Sequence, residues 1–124
     1  VVHDVKAALN SAQKESGESR EQLLDLVNAL AKRQGMKLSG NGGLSKDMLD
    51  KWLNAEDALR APGIAGVELL CAALDTIEPL DAMARPLGAM VIHGKDSALL
   101  KLARAQQEGK ELRKRMRKLE EQLG

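Results

Sequence analysis

A single aromatic side chain, Trp52, serves the whole of this chain, which contains neither Phe nor Tyr. Any core must therefore be built around that one indole from Leu, Ala, Val, Ile and Met. Few β-branched residues and abundant Leu, Ala, Lys and Glu favour helix over sheet, so the fold class expected is all-α. Apolar residues are 44% of 124, enough to bury one domain with an appendage.

The apolar spacing divides the chain into helices. Val2, Val5, Leu9 and Ala12 recur at helical intervals and predict a first helix that ends near Gly17. "SREQ" follows, in which Ser19 and Gln22 have the spacing of a capping box. Behind it Leu23, Leu24, Leu26, Val27, Leu30 and Ala31 form a wide stripe running to about Gly35. "GMKLSGNGG" reads as a loop. A helix opening at Ser45 then puts Leu44, Met48, Leu49, Trp52 and Leu53 on one face. Pro62 suits a first helical turn, ahead of an apolar face of Ile64, Val67, Leu70, Cys71 and Leu74. "EPLDAMARPLG" is a short helix between two prolines, and "AMVI" is extended or a stub of strand. A last helix, capped at Asp96 or Ser97, runs to Leu123.

Several function classes find no support in these residues. The two histidines, His3 and His93, lack partners at metal-ligand spacing, and Cys-x-x-Cys is missing. His3 and Asp4 are adjacent and so point in different directions on a helix. Cys71 lies on an apolar face, where a cysteine behaves as a small hydrophobe. "SGNGG" lacks the Gly-Lys-Ser/Thr of a phosphate loop. The expectation is a protein that is not an enzyme and needs no cofactor or metal. The chain begins Val-Val rather than Met, which points to a missing or processed start. "PGIAGVELLCAAL", interrupted by Glu68, falls short of the ~20 apolar residues of a membrane helix. A single Cys cannot form an internal disulfide, which fits a reducing, cytoplasmic setting.

Net charge is +1 but unevenly spread. Residues 101–124 carry eight basic and four acidic side chains, and the rest carries eleven basic against fourteen acidic. Within that acidic body the stretch from Lys32 to Lys51 is locally basic. Lys32, Arg33, Lys37, Lys46 and Lys51 stand against Asp47 and Asp50. A helix that reads DNA presents polar residues at its N-terminus, where Ser45 and Lys46 stand, with Asp47 and Lys51 as further DNA-binding candidates on the same polar face. Backbone N–H groups at that end also attract phosphate. The alternative is a solvated face, because Lys46–Asp50 and Asp47–Lys51 are both i,i+4 pairs. Residue chemistry alone leaves the two even.

The run "SREQLLDLVNAL … LSKDMLDKWLNAED … ELLCAALDTIEPLDAMARPLG" resembles small regulatory proteins of temperate, Mu-like phages and prophages. These are similar in turn to CII-type phage regulators and to lambda-repressor-like helix-turn-helix domains. The resemblance covers roughly residues 17–92. It implies a DNA-binding transcriptional regulator with Ser19–Leu30 as supporting helix and Ser45–Leu53 as recognition helix. The connection between them is longer than the usual turn of about three or four residues. That length makes Arg33, Lys37, Ser39 and Asn41 further candidates for contact with double-stranded DNA. The other reading is a helical interaction module with a vestigial helix-turn-helix. The organisation expected is a lambda-repressor-like domain over 1–92 and an oligomerisation helix over 93–124.

That last helix carries a heptad stripe. Leu102, Gly109, Met116 and Leu123 occupy a positions, and Ala98, Ala105, Leu112 and Leu119 occupy d. Gly109 weakens its middle by ~1 kcal/mol relative to Ala. The expected arrangement is a parallel homodimer, which sets Glu108 against Arg113 and Arg115 against Glu120, opposite signs both times. The expected oligomerisation residues are Leu102, Leu112, Met116, Leu119 and Leu123. Alternatively the stripe folds back on the body, or Lys110, Lys114, Arg117 and Lys118 form a solvated or DNA-touching face.

Overall fold

Val5, Lys6 and Leu9 share the inner face of the first helix, and Lys6 is as completely buried as Leu9. That helix, α1 (Val2–Ser16), is one of six that a computed structural model places among residues 1–38 and 42–124, the residues it describes. The others are α2 (Arg20–Arg33), α3 (Lys46–Leu53), α4 (Ile64–Leu74), α5 (Glu78–Ala84) and α6 (Gly94–Leu123). A 3-10 turn, Arg85–Leu87, continues α5, and no strand occurs among the described residues. Residues 89–92, read as extended or strand, are irregular. The backbone N–H of Val91 is held there by Asp81 Oδ1 at 2.9 Å. That bond, with Arg85 beside it, keeps the Asp81 carboxyl below its ordinary pKa.

The chain divides into two compact units, Val1–Val91 and Ile92–Gly124. In the first, α1 packs on α5 and also meets α3 and α4, while α2 packs on α4 and α3. Their shared core is aliphatic: Leu9, Leu23, Val27, Leu49, Leu53, Leu69 and Leu70 are all but inaccessible. Trp52 joins them at 7% exposure. A Cβ at Gly66 would stand 3.0 Å from two atoms of the Trp52 ring, so α4 needs glycine where it crosses the indole.

Local signals set the ends of these helices. Gly17 closes α1 in the left-handed region, φ 74°. Ser19 and Gln22 form the expected capping box, Oγ to the Gln22 N–H at 3.1 Å and Oε1 to the Ser19 N–H at 2.9 Å. Elsewhere the boundaries and faces differ from the periodicity. Pro62 precedes the Gly63 cap rather than entering the first turn of α4. Ile64 is therefore at the very start of that helix, 84% exposed and outside the core. Val2 and Leu26 also face outward. The last helix begins at Gly94 with His93 as cap, so Asp96 lies inside the first turn and not before it. An acidic side chain there meets the positive end of the helix dipole.

The second unit is essentially α6. Leu102, Leu112, Met116, Leu119 and Leu123 are all exposed on it. No helix is long and apolar enough to cross a membrane among the described residues.

Lys6 is the polar exception in the core. Its ammonium donates to the carbonyls of Lys51 at 3.0 Å, Asn54 at 3.2 Å and Asp57. All three N–H donors of a lysine are thereby used. Two consequences are measurable. Lys6→Met keeps the volume but removes three charge-assisted bonds. It leaves the Asp57 carbonyl without that donor, while Lys51 and Asn54 keep one backbone donor each. It lowers unfolding free energy by about 1–3 kcal/mol. Chemical denaturation reads this, and unchanged stability would show that those carbonyls do not depend on Lys6. Separately, Trp52→Ala removes the largest core side chain and costs ~3–5 kcal/mol. Native Trp emission should be blue-shifted, and a water-exposed spectrum would contradict the burial.

Candidate nucleic-acid interface

Helix α3 has only eight residues, too few to stand without neighbours, so its polar face exists because other elements fix the helix. Below, Leu49, Trp52 and Leu53 are buried and Met48 is half-buried. At its start the Ser45 hydroxyl accepts from the Met48 N–H at 3.2 Å, an N-cap. Just before the cap, the Asn28 side chain of α2 brackets the backbone of Leu44. Its Oδ1 accepts from the Leu44 N–H at 2.8 Å, and its Nδ2 donates to the Leu44 carbonyl at 3.0 Å. Lys6 holds the far end. The sequence placed the helix and its cap correctly, and it missed both Asn28 and Lys6.

Every charge on the polar face is paired. Lys51 reaches Asp47 within α3 at 2.8 Å, as the spacing predicts. Lys46 does not take Asp50, its i,i+4 neighbour. It pairs with Glu21 of α2 at 2.9 Å, and Asp50 pairs with Arg20 at 2.8 Å. The N-terminus of α2 supplies a charge of opposite sign to each, which one helix considered alone does not reveal. The hydrogen bond from Lys46 holds the Glu21 carboxyl below its ordinary pKa, and Glu21 in turn raises that of Lys46. Lys51 likewise lowers Asp47. For the two carboxylates the pairing is present above the ordinary carboxylate range and lost as pH falls through the depressed value.

The remaining cations are different. Lys32 and Arg33 end α2, Lys37 lies in the connection, and all three are exposed. None makes an ion pair among the described residues. Lys32 and Lys37 border a shallow depression of about 440 Å³ with Asn28, Met36 and Gly42. The connection is anchored on both sides of it, by the Met36 N–H on the Ala31 carbonyl at 2.8 Å and by the Asn28 bracket. Ser39 and Asn41, the other two loop candidates, lie outside the described residues. The structure thus brings Ser45, Lys46, Asp47 and Lys51 onto one exposed helix. It sets Arg33 and Lys37 along the connection that leads to that helix.

Other candidate chemistry resolves into structural roles. His3 Nδ1 bonds the Ala55 carbonyl at 3.1 Å, and Cys71 is buried, which pushes its thiol pKa up. The described residues contain no group of three or more His, Cys, Asp or Glu arranged to hold a metal. No protein-family model, curated protein or solved structure matches this chain.

The masking of Lys46 and Arg20 can be tested directly. The double variant Glu21→Gln, Asp50→Asn frees both cations and should elute from heparin at higher salt than wild type. Exposed pairs contribute little to stability, so melting should barely move. Unchanged elution would show that the two cations do not reach an anion even when released.

Proposed function

We propose that this chain is a DNA-binding transcriptional regulator of the phage or prophage kind, with α2 and α3 in a lambda-repressor-like helix-turn-helix role. Helix α3, starting from Ser45, reads the major groove, and Lys32, Arg33 and Lys37 hold backbone phosphates. The observation that carries this reading is the set of three exposed cations, without an ion pair among the described residues, on the segment leading into an N-capped helix held at both ends. Phosphate contacts of this kind set register, and polar residues at a helix start supply base contacts. The +3 balance of residues 32–51 is concentrated there, since the cations of α3 itself are already neutralised.

A second reading rests on that neutralisation. Lys46, Asp47, Asp50 and Lys51 all have partners, which suits a helical interaction module that binds protein and no DNA. For a DNA reader to work, Lys46 must exchange Glu21 for phosphate. An exposed ion pair is worth ~0–1 kcal/mol in general, so such an exchange faces a small barrier.

Electrophoretic shift on a random duplex at 50 to 200 mM salt separates the two. The wild-type chain should bind with a steep salt dependence, and Lys32→Ala, Arg33→Ala, Lys37→Ala combined should flatten the slope by about three units. Binding that survives the triple variant with its slope intact removes this surface from the interface. No salt-dependent binding by the wild-type chain would leave the interaction module as the reading.

A further inference from the structure

The apolar stripe of α6 is exposed along its length, and it is lopsided. Its second half carries Leu112, Met116, Leu119 and Leu123, while its first half has Ala98, Ala105 and Gly109 around Leu102. Gly109 disfavours helix at the middle of a 30-residue helix. Nothing among the described residues demands it, since a Cβ built there meets only Arg113 Nη1 of them, at 3.9 Å.

From this pattern we infer that α6 pairs with α6 of a second copy of this chain in an antiparallel coiled coil, in one definite register. In antiparallel pairing each a position faces a d position of the other helix. One alignment sets Leu112 opposite Gly109, Met116 opposite Ala105, Leu119 opposite Leu102 and Leu123 opposite Ala98. Large side chains meet small ones in three layers of the four, and the two-fold axis repeats all four. Bulk is then distributed along the seam instead of being concentrated in one half, which close packing favours. The parallel arrangement stacks each residue on itself. Its large half holds the helices apart while Ala98, Ala105 and Gly109 face their own copies across a gap.

Charge complementarity selects the same register. In it Glu108 meets Arg115 of the second copy, twice by symmetry, and Arg113 meets Gln106. Lys101 meets Gln122, and no like charges face each other. A slip of one heptad one way places Arg113 on Arg113 and Arg115 on Arg115 of the second copy. A slip the other way places Glu108 on Glu108 and Lys101 against Arg115. Both alternatives set like charges directly opposite, which is how coiled coils exclude wrong registers. The parallel form does gain two kinds of opposite pair, Glu108–Arg113 and Arg115–Glu120. These lie at the same solvated edge as Glu108–Arg115, so charge chooses among the antiparallel registers while the filling of the seam decides the orientation.

Orientation is read by cross-linking the full chain without DNA, so the outcome does not depend on the function proposed above. Ala98→Cys and Leu123→Cys variants are made separately and mixed under mild oxidation. The wild-type chain, with its buried Cys71, gives the background. The expected product is the mixed 98–123 disulfide, with little self-cross-linking of either variant. Self-cross-linked 123–123 and 98–98 dimers would overturn the antiparallel assignment. Gly109→Leu gives a second readout of opposite sign. It crowds Leu112 of the second copy and should weaken dimerisation at least tenfold by sedimentation or light scattering. In a parallel pair it fills the gap and tightens the dimer. A wild-type chain that stays monomeric at tens of micromolar overturns the pairing altogether.

Discussion

The ammonium of Lys6 beneath the end of α3 is the contact on which the arrangement of the first unit turns. Burying a lysine costs several kcal/mol of lost hydration, and three charge-assisted bonds to carbonyls roughly offset it. Its value is therefore positional. Carbonyls at a helix C-terminus have no partners in the helix and carry the negative end of its dipole, so a cation fixed there sets where the helix stops. Lys6 reaches the carbonyls of Lys51, Asn54 and Asp57, and His3 reaches that of Ala55. The N-terminal half of α1 thus grips the whole turn that follows α3. With Ser45 capping the other end and Asn28 bracketing Leu44, an eight-residue helix is held at both ends and along its base. A short helix fixed this way keeps its polar face in one orientation, which is what a reading surface requires.

The charges on that face and those beside it do different things. Arg20–Asp50 and Glu21–Lys46 tie α2 to α3, and Asp47–Lys51 closes on itself. Such exposed pairs add little stability and also little net field, so α3 alone does not draw a polyanion. Lys32, Arg33 and Lys37 are exposed and make no ion pair among the described residues. A field from them would orient an approaching phosphate backbone before any pair on α3 opens. Under the DNA-binding reading, electrostatics would give the connection the role of attracting and leave discrimination to α3.

Much of the fold was legible because its signals are local. Gly17, the Ser19–Gln22 box and the Ser45 cap need only neighbours in sequence, and each is found where the spacing put it. The apolar face of Leu49, Trp52 and Leu53 likewise follows from period alone. What was missed depends on contacts between distant segments. Lys6 falls on the same stripe as Val5 and Leu9, but a lysine in such a stripe ordinarily reads as an edge residue. Only a carbonyl-rich helix end some 45 residues away explains its burial. The cross-helix pairing of Lys46 is hidden for the same reason. Ile64 illustrates the reverse error: its spacing is right, but it opens α4, and a first turn projects beyond the elements that cover the rest. Of the interface, the helix and its cap were visible, whereas the neutralisation of its charges was not.

The orientation inferred for an α6 pair bears on how two copies could engage one duplex. In the antiparallel register Ala98 of one copy lies beside Leu123 of the other. At 1.5 Å per residue the two Ala98 positions are then about 37 Å apart along the coil. Each is the end joined to its own Val1–Val91 unit. Two half-sites on one face of B-DNA are separated by about 34–36 Å, one helical turn. A parallel pair would instead bring both starts to within a single helix diameter, about 10–12 Å. Under the DNA-binding reading, the antiparallel seam sets the two starts of α6 apart by a length on the scale of that spacing, and the parallel one sets them side by side. The glycine that weakens α6 as an isolated helix is, in that arrangement, the residue that lets Leu112 of the other copy close the centre of the seam.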